Sequence, residues 1–505
     1  MHTTSNRHFA SAFPFLNWLF TNWVVGLFLV LVSAGLFYFL SPHYALSILI
    51  LGQAFLIAKS DIVLVRTLLL SPLVILIINE IIRMALGPIF LAYSEGGVWQ
   101  PGVGMAQIAT LIYLPSVWLG YRVMIPSRRD FIVPLQDKLF REWVVKPLVI
   151  LGVLFLLYAV ISTVFLIGSG VKDRGIAGEE FTNVDFGGVF SPIRLLTVFA
   201  RFKSIGWVML PLVLFYSPRP LRLPLLAFAS IHFVLSLLNG DRGNVIWPLI
   251  SIGIGCYVFL PNLKIRFEKW IVLALPFLVL FIWVVDVFRN TDAFSYASAM
   301  DLGSRVEALM NVRSGIKDRE VSYNLEGRGQ TFTESVGGRL WGGYDHLIFT
   351  MTPGAFPHAW FENFSAMPVV WIPFSLTGNT QAAAIFGDAY IIASTYRGSF
   401  GNQRTRYGIS IVGDMYRRFS WFGLPFAAAC YGLFYGCYWR IVFWLFERKS
   451  KFLGLSLLLL MFTLFLGKAP ATIMTSWKIF AYDIPKYFVI ILFIYFLLKR
   501  FRKAD

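Results

Sequence analysis

The sequence predicts an all-α, polytopic membrane protein of about 12 transmembrane helices with one long extracytoplasmic loop that contains short interfacial helices. Three observations carry this. The chain is 57% hydrophobic and only 14% charged, too apolar for a surface that must be covered with polar groups. Apolar runs of roughly 17 to 25 residues recur from end to end, each long enough to cross about 30 Å of hydrocarbon as a helix that satisfies its own backbone. Lys and Arg gather in alternate connections between those runs, as orientation in a membrane requires.

Taken in order, the apolar runs place spans near residues 17–40, 44–58, 67–92, 103–121, 147–168, 193–216, 223–238, 244–260, 270–288, 421–446, 453–470 and 481–498. The first is longer than a signal-peptide core and lacks a small-residue cleavage site, so it reads as a permanent helix. With the N-terminus inside, the cytoplasmic connections carry Arg128, Arg129, Lys138 and Arg141, then Arg219 and Arg222, then Lys264, Arg266 and Lys269, then Arg448, Lys449 and Lys451. The tail adds Lys499, Arg500, Arg502 and Lys503, whereas the alternate connections carry Glu95 and the acidic run Asp173, Glu179, Glu180 and Asp185. Both termini are therefore expected in the cytoplasm. The organisation expected is a bundle of about nine helices over residues 1–288, a periplasmic loop over 289–420, and about three helices with a basic tail over 421–505.

A formal charge of +17 would suggest nucleic acid for a soluble chain, but here much of it lies beside hydrophobic spans, and no nucleic-acid partner is expected. Cys256, Cys430 and Cys437 all fall in apolar stretches without CxxC spacing and read as small core hydrophobes.

The segment 289–420 is where chemistry is expected, because connections of such length are commonly functional. It holds about eleven Arg, one Lys (Lys317) and a nearly equal number of acids. Arginine suits planar, bidentate recognition of phosphate. Within it, His346 to Leu376 is apolar but interrupted by Pro353, Pro357, Pro368 and Pro373, which makes it either an interfacial or re-entrant element or a plug packed on the bundle.

Two constellations suit an anion. In Asp241-Arg242-Gly243-Asn244, a polar break between spans, Arg242 falls at the start of the next helix, where backbone N–H groups and a guanidinium would together attract a phosphate; the alternative is a plain Asp241–Arg242 pair. Arg397, Arg404 and Arg406, followed by Asp414, Arg417 and Arg418, are interleaved with Gly398, Gly401, Gly408 and Gly413, and lead into a span. Charge-assisted hydrogen bonds from such groups contribute about 1.5 to 3 kcal/mol each. Arg417 and Arg418 read first as anchors at lipid headgroups.

Among ionisable residues inside the spans, Glu80 and Arg83 are spaced to neutralise one another, His232 reads as a satisfied core histidine, and Asp483 and Lys486 are expected to face the bundle. Arg201 and Lys203 either line an inner cavity or serve packing. The sequence has no DxD, HExxH, P-loop or Cys/His cluster, so no metal or other cofactor is expected. The first outer connection, Ser41-Pro42-His43, also lacks the carboxylate that metal-dependent lipid-linked glycosyltransferases often place there.

Residues 235–445 resemble the Wzy-type O-antigen and oligosaccharide repeat-unit polymerases of bacterial envelopes. The features concerned are the span start NGDRGNVIWPLISIGIG, the outer loop with its WIPFSL element, and the closing pattern YGISIVGDMYRRFSWFGLPFAAACYGLFYG. The family's spacing of Arg and Gly is met by Arg242 with Gly253 and Arg397 with Gly408, but also by Arg141 with Gly152 on the opposite side, so position counts for more than spacing. The resemblance implies a metal-independent membrane glycosyltransferase of the bacterial inner membrane. Its substrates would be undecaprenyl-diphosphate-linked glycans, donor and acceptor, with a chain-length regulator protein as a further partner. On that reading Arg242, Arg397, Arg404 and Arg406 bind the diphosphate, and the proton acceptor is one of Asp414, His358, Asp345 and Glu334. Two other functions fit the same pattern: a flippase of lipid-linked oligosaccharides, and a membrane O-acyltransferase using His232.

Overall fold

The structure is a computed structural model. It describes residues 23–39, 41–65, 72–88, 101–125, 142–169, 202–259, 300–312, 360–361, 364–371, 410–447, 451–467 and 472–502, with isolated positions between 192 and 298. Every regular element among them is helical. In chain order these are α1 (Trp23–Tyr38), α2 (Pro42–Val65), α3 (Pro72–Ile81) running into a π-helical segment (Ile82–Leu86), α4 (Pro101–Met124) and α5 (Glu142–Gly168). Then come α6 (Phe202–Tyr216), α7 (Arg219–Leu238), α8 (Arg242–Phe259), the short α9 (Leu302–Met310) and a 3-10 helix (Phe364–Trp371). The chain ends in α10 (Ile411–Glu447), α11 (Lys451–Gly467), and α12 (Ile473–Lys478) joined through a second π segment (Ile479–Asp483) to α13 (Ile484–Arg502).

Among the described residues, four stretches, Gly102–Met124, Val149–Gly168, Arg219–Leu238 and Ile473–Leu497, are long and apolar enough to cross a bilayer. The chain is thus an all-α protein of membrane type. Shorter apolar helices occur at Pro42–Ile57, Phe202–Tyr216, Gly243–Cys256 and Ser456–Phe465. The expected span near 17–40 is described from Trp23 onward as α1, and that near 270–288 lies largely outside the described residues.

Two compact units divide the chain: residues 1–134, 337–374 and 379–494 form one, and 135–336, 375–378 and 495–505 the other. In the first, α4 and α10 meet backbone to backbone. A methyl group built on Gly432 would stand 2.1 Å from the Val117 carbonyl oxygen, and one on Gly120 would stand 1.9 Å from that of Ala429. Gly432 and Gly436 are four residues apart, the small-residue spacing that lets membrane helices approach closely. Tyr435 fills the seam beside them, its ring 6.1 Å from Tyr121 and 4.9 Å from Phe465.

Both π segments belong to this unit. A π turn misaligns a backbone carbonyl from its usual helical partner. A side chain from a neighbouring helix supplies a hydrogen bond in each case: Gln107 Nε2 donates to the Met84 carbonyl at 3.1 Å, and the Tyr438 hydroxyl donates to the Phe480 carbonyl.

The second unit is built on α6. Gly206 lies against the α5 backbone at Phe155 and Leu156, while Gly255 of α8 lies against Val208. Trp207 packs with Leu156, Ala159, Val160 and Ala229 in the core between them. The tight link from α7 to α8 has a local cause. Gly240 adopts φ 62°, and the N–H groups of Gly240 and Asp241 turn back to the Leu237 and Ser236 carbonyls at 2.8 and 2.9 Å, a Schellman stop. Asp241 then caps α8.

Candidate functional site: two arginines held by Asp414

Asp414, Arg417 and Arg418 occupy the first turns of α10. Spacings of three and four residues put both guanidiniums on the carboxylate's face of the helix. Arg417 Nη2 donates to Oδ1 at 3.1 Å, and Arg418 Nε donates to Oδ1 at 3.2 Å and Oδ2 at 3.1 Å. The backbone N–H of Ile473, first residue of α12, donates to Oδ2 at 2.8 Å. Asp414 and Arg418 are completely buried and Arg417 is 5% exposed. The headgroup-anchor expectation for the two arginines is therefore corrected: a carboxylate one turn away, which the apolar pattern alone does not weigh, pairs them inside the protein.

Arg418 also fastens the segment before α10. Its Nη1 donates to the Trp360 carbonyl at 3.4 Å, and its guanidinium carbon lies 5.3 Å above the Phe364 ring. Phe419 packs edge-on against Phe361 and Phe364. The 3-10 helix that follows sits on α12 through Val370, buried with Met474, and through Trp477 Nε1, which donates to the Met367 carbonyl at 3.1 Å. Trp360 and Phe361, ahead of the 3-10 helix, and Trp371, at its end, stay exposed.

Backbone strain gathers at the same place. Among the described residues the non-glycine positions with positive φ are Trp360 (38°) and Ser420 (56°), and they flank the contact between Arg418–Phe419 and Trp360–Phe364. Ser420, with ψ −166°, breaks α10 into a short helix carrying the charged cluster and the long apolar helix beyond it. Such conformations persist only where surrounding contacts over-determine them.

Ser410 precedes this helix and connects it to Glu80. Its carbonyl accepts the Asp414 N–H at 3.1 Å and its hydroxyl oxygen accepts the Gly413 N–H at 3.3 Å. Ser410 also lies within electrostatic reach of the carboxyl of Glu80, a buried group that Arg83 attracts from further along its own helix. Glu80 therefore has a polar neighbour on another element in addition to the expected Arg83. The buried Tyr113 and Tyr431 lie within electrostatic reach of the same carboxyl.

In the second unit, the Asp241 carboxylate accepts from the Asn244 N–H at 3.3 Å and from Asn244 Nδ2 at 2.7 Å. Arg242 opens α8, as its position in the sequence predicts. His232 is buried with both ring nitrogens engaged: Nδ1 contacts Thr163 Oγ1 at 2.9 Å and Nε2 donates to the Asn244 carbonyl at 2.8 Å. Lys203 Nζ donates to the same Thr163 oxygen at 3.3 Å. Asp483 and Lys486 lie 3.8 Å apart, with the ammonium over the rings of Tyr482 and Tyr487.

Arg397, Arg404, Arg406, His358, Asp345 and Glu334 lie outside the described residues, as does Arg201. Of the expected site residues, Asp414 is thus the one whose side chain the structure describes. Sequence reasoning missed Ser410, Ile473, Trp360 and Phe364 as its surroundings. The signal for the cluster itself was present in the three- and four-residue spacing after Asp414. Among the described residues, no three His, Cys, Asp or Glu side chains come together as a metal would require.

Comparison with protein-family models, with curated proteins and with solved structures finds no match.

Proposed function

We propose that the chain is a polymerase of lipid-linked oligosaccharide repeat units, a metal-independent glycosyltransferase spanning the bacterial inner membrane about 12 times with residues 289–420 on the periplasmic side. The observation that carries this reading is the buried Asp414–Arg417–Arg418 cluster at the end of the arginine-rich segment. One carboxylate and two guanidiniums leave a net positive charge, set beside the N-terminus of α12 whose dipole has the same sign. That is a fixed field of the kind that stabilises a departing diphosphate.

In this mechanism a growing glycan on undecaprenyl diphosphate is transferred to a hydroxyl of an incoming lipid-linked repeat unit. The anomeric carbon–oxygen bond to the diphosphate breaks, a bond to the acceptor oxygen forms, and the hydroxyl proton passes to a base. Arg242, Arg397, Arg404 and Arg406 are the proposed ligands of the diphosphate. Asp414 already accepts four hydrogen bonds, so its proposed role is to position Arg417 and Arg418. The proton acceptor is then sought among His358, Asp345 and Glu334. The bilayer confines both substrates to one plane and raises their effective concentration.

The engagement of both His232 nitrogens disfavours the O-acyltransferase alternative, which needs a free imidazole base. A flippase remains the competing function. Incubating purified protein with one defined undecaprenyl-diphosphate-linked repeat unit separates the two. A ladder of longer glycans is expected, and translocation across vesicles without any ladder would overturn the polymerase reading.

A further inference from the structure

The second unit has a groove of about 530 Å³ between α6, α7 and α8, within the range of small-molecule sites. Its wall is apolar, with Leu214, Phe215, Leu226 and Ile252 among its residues, and Arg222 and Ser230 are its polar members. The Ser230 hydroxyl is spent on the Leu226 carbonyl of its own helix at 2.9 Å, so nothing hydrophilic is needed along the wall. Arg222 differs. Its Nε donates to the Ser217 carbonyl at 3.1 Å and Nη2 to the Phe215 carbonyl at 2.8 Å, which pins the guanidinium at the C-terminal end of α6. A guanidinium has five N–H donors, so three remain for a ligand. The turn Tyr216-Ser-Pro-Arg-Pro-Leu-Arg222 adds the exposed Arg219 and contains no acid.

We propose that this groove holds one acyl chain of an anionic glycerophospholipid, with the phosphate at the Arg219–Arg222 turn. Three features select that occupant. Helix α7 is one of the helices fit to cross a bilayer, and Leu221, Leu223, Leu226, Ile231 and Val234 are exposed along it, so the groove opens where lipid stands. The two arginines at one end and none along the wall match a charged head with an apolar tail. A protein helix about 10 Å across would fill this volume in little more than one turn, whereas a flexible hydrocarbon chain follows a narrow channel. The site belongs to the second unit and does not depend on the polymerase reading.

The test uses the full-length protein, delipidated in detergent and titrated with phosphatidylglycerol or phosphatidylcholine under native mass spectrometry. Wild type is expected to retain one phosphatidylglycerol in preference to phosphatidylcholine. Ser230→Trp, which fills the groove and removes only a bond within α7, is expected to weaken that first binding event by about tenfold or more. Arg222→Gln keeps a donor for the α6 carbonyls and removes the charge, and is expected to bind both lipids alike. Equal retention of the two lipids by wild type, or unchanged phosphatidylglycerol binding by Ser230→Trp, would overturn the proposal. Should Arg222→Gln fail to fold, the Ser230→Trp comparison decides alone.

Discussion

Asp414 accepts the backbone N–H of Ile473 at 2.8 Å, across 59 residues of chain, while holding Arg417 and Arg418 on its other lone pairs. One side chain therefore pairs with two buried cations and caps the start of another helix. Each task alone is common; combined, they make Asp414 the residue on which the local arrangement of α10 and α12 depends.

Replacing Asp414 by Ala leaves two guanidiniums without their shared counter-ion. Removing one partner of a buried ion pair costs about 3–5 kcal/mol. Thermal unfolding in detergent should show a loss of that order, and adding Arg418→Met should recover part of it, because an apolar side chain of similar length needs no carboxylate. A double variant no more stable than the single one would show that the pairing is not what Asp414 provides.

Gly432→Ala should separate α4 from α10, since the new methyl would stand 2.1 Å from the Val117 carbonyl oxygen. A loss of about 1–3 kcal/mol is expected from such overpacking. Gly35→Ala is the matched control: nothing lies within 4 Å of the position a methyl would take. Its effect should be a gain of up to about 1 kcal/mol, the preference of a helix interior for Ala over Gly.

Ser420→Gly should stabilise the protein. The φ of 56° and ψ of −166° lie where glycine is at ease and serine is strained by about 1–3 kcal/mol, and the greater freedom of glycine when unfolded offsets about 0.5–1 of that. A raised melting temperature is the expected readout. If the strain serves the site, the same variant should lower polymer synthesis despite its stability.

Arg397→Ala should abolish chain extension while the protein remains folded and membrane-inserted. Glycan length on gels reports this directly. Wild-type polymer in that variant would remove Arg397 from the proposed site.

Helices and their order were legible in the sequence because long apolar runs leave few alternatives in a bilayer, and the starts of α7 and α8 fall within about four residues of the expected positions. The short helix ahead of the break in α10 was not. Hydropathy begins that span near residue 421, where the long apolar helix does begin beyond Ser420, but the helical turns from Ile411 that precede it went unread, because Arg417 and Arg418 look like solvent-facing charge until Asp414 is placed on the same face. The contact of Arg418 with Trp360 depends on residues 58 apart, and no local pattern encodes such a pairing. Likewise, the backbone contact of Gly432 with Val117 is visible in sequence only as a small-residue spacing with no named partner.

The π segment Ile479–Asp483 has a bearing on deletion. Each helical residue advances the chain by about 100°, and the wider π turn takes up one surplus residue that would otherwise rotate all that follows by that much. Excising a single amino acid between 479 and 483 would restore ordinary winding and leave Lys486 and Tyr487 close to the azimuth they now hold, whereas forcing the present length into ordinary winding would swing them away from the neighbours they now meet. The winding of this stretch, more than the identity of its side chains, sets which way the last helix faces.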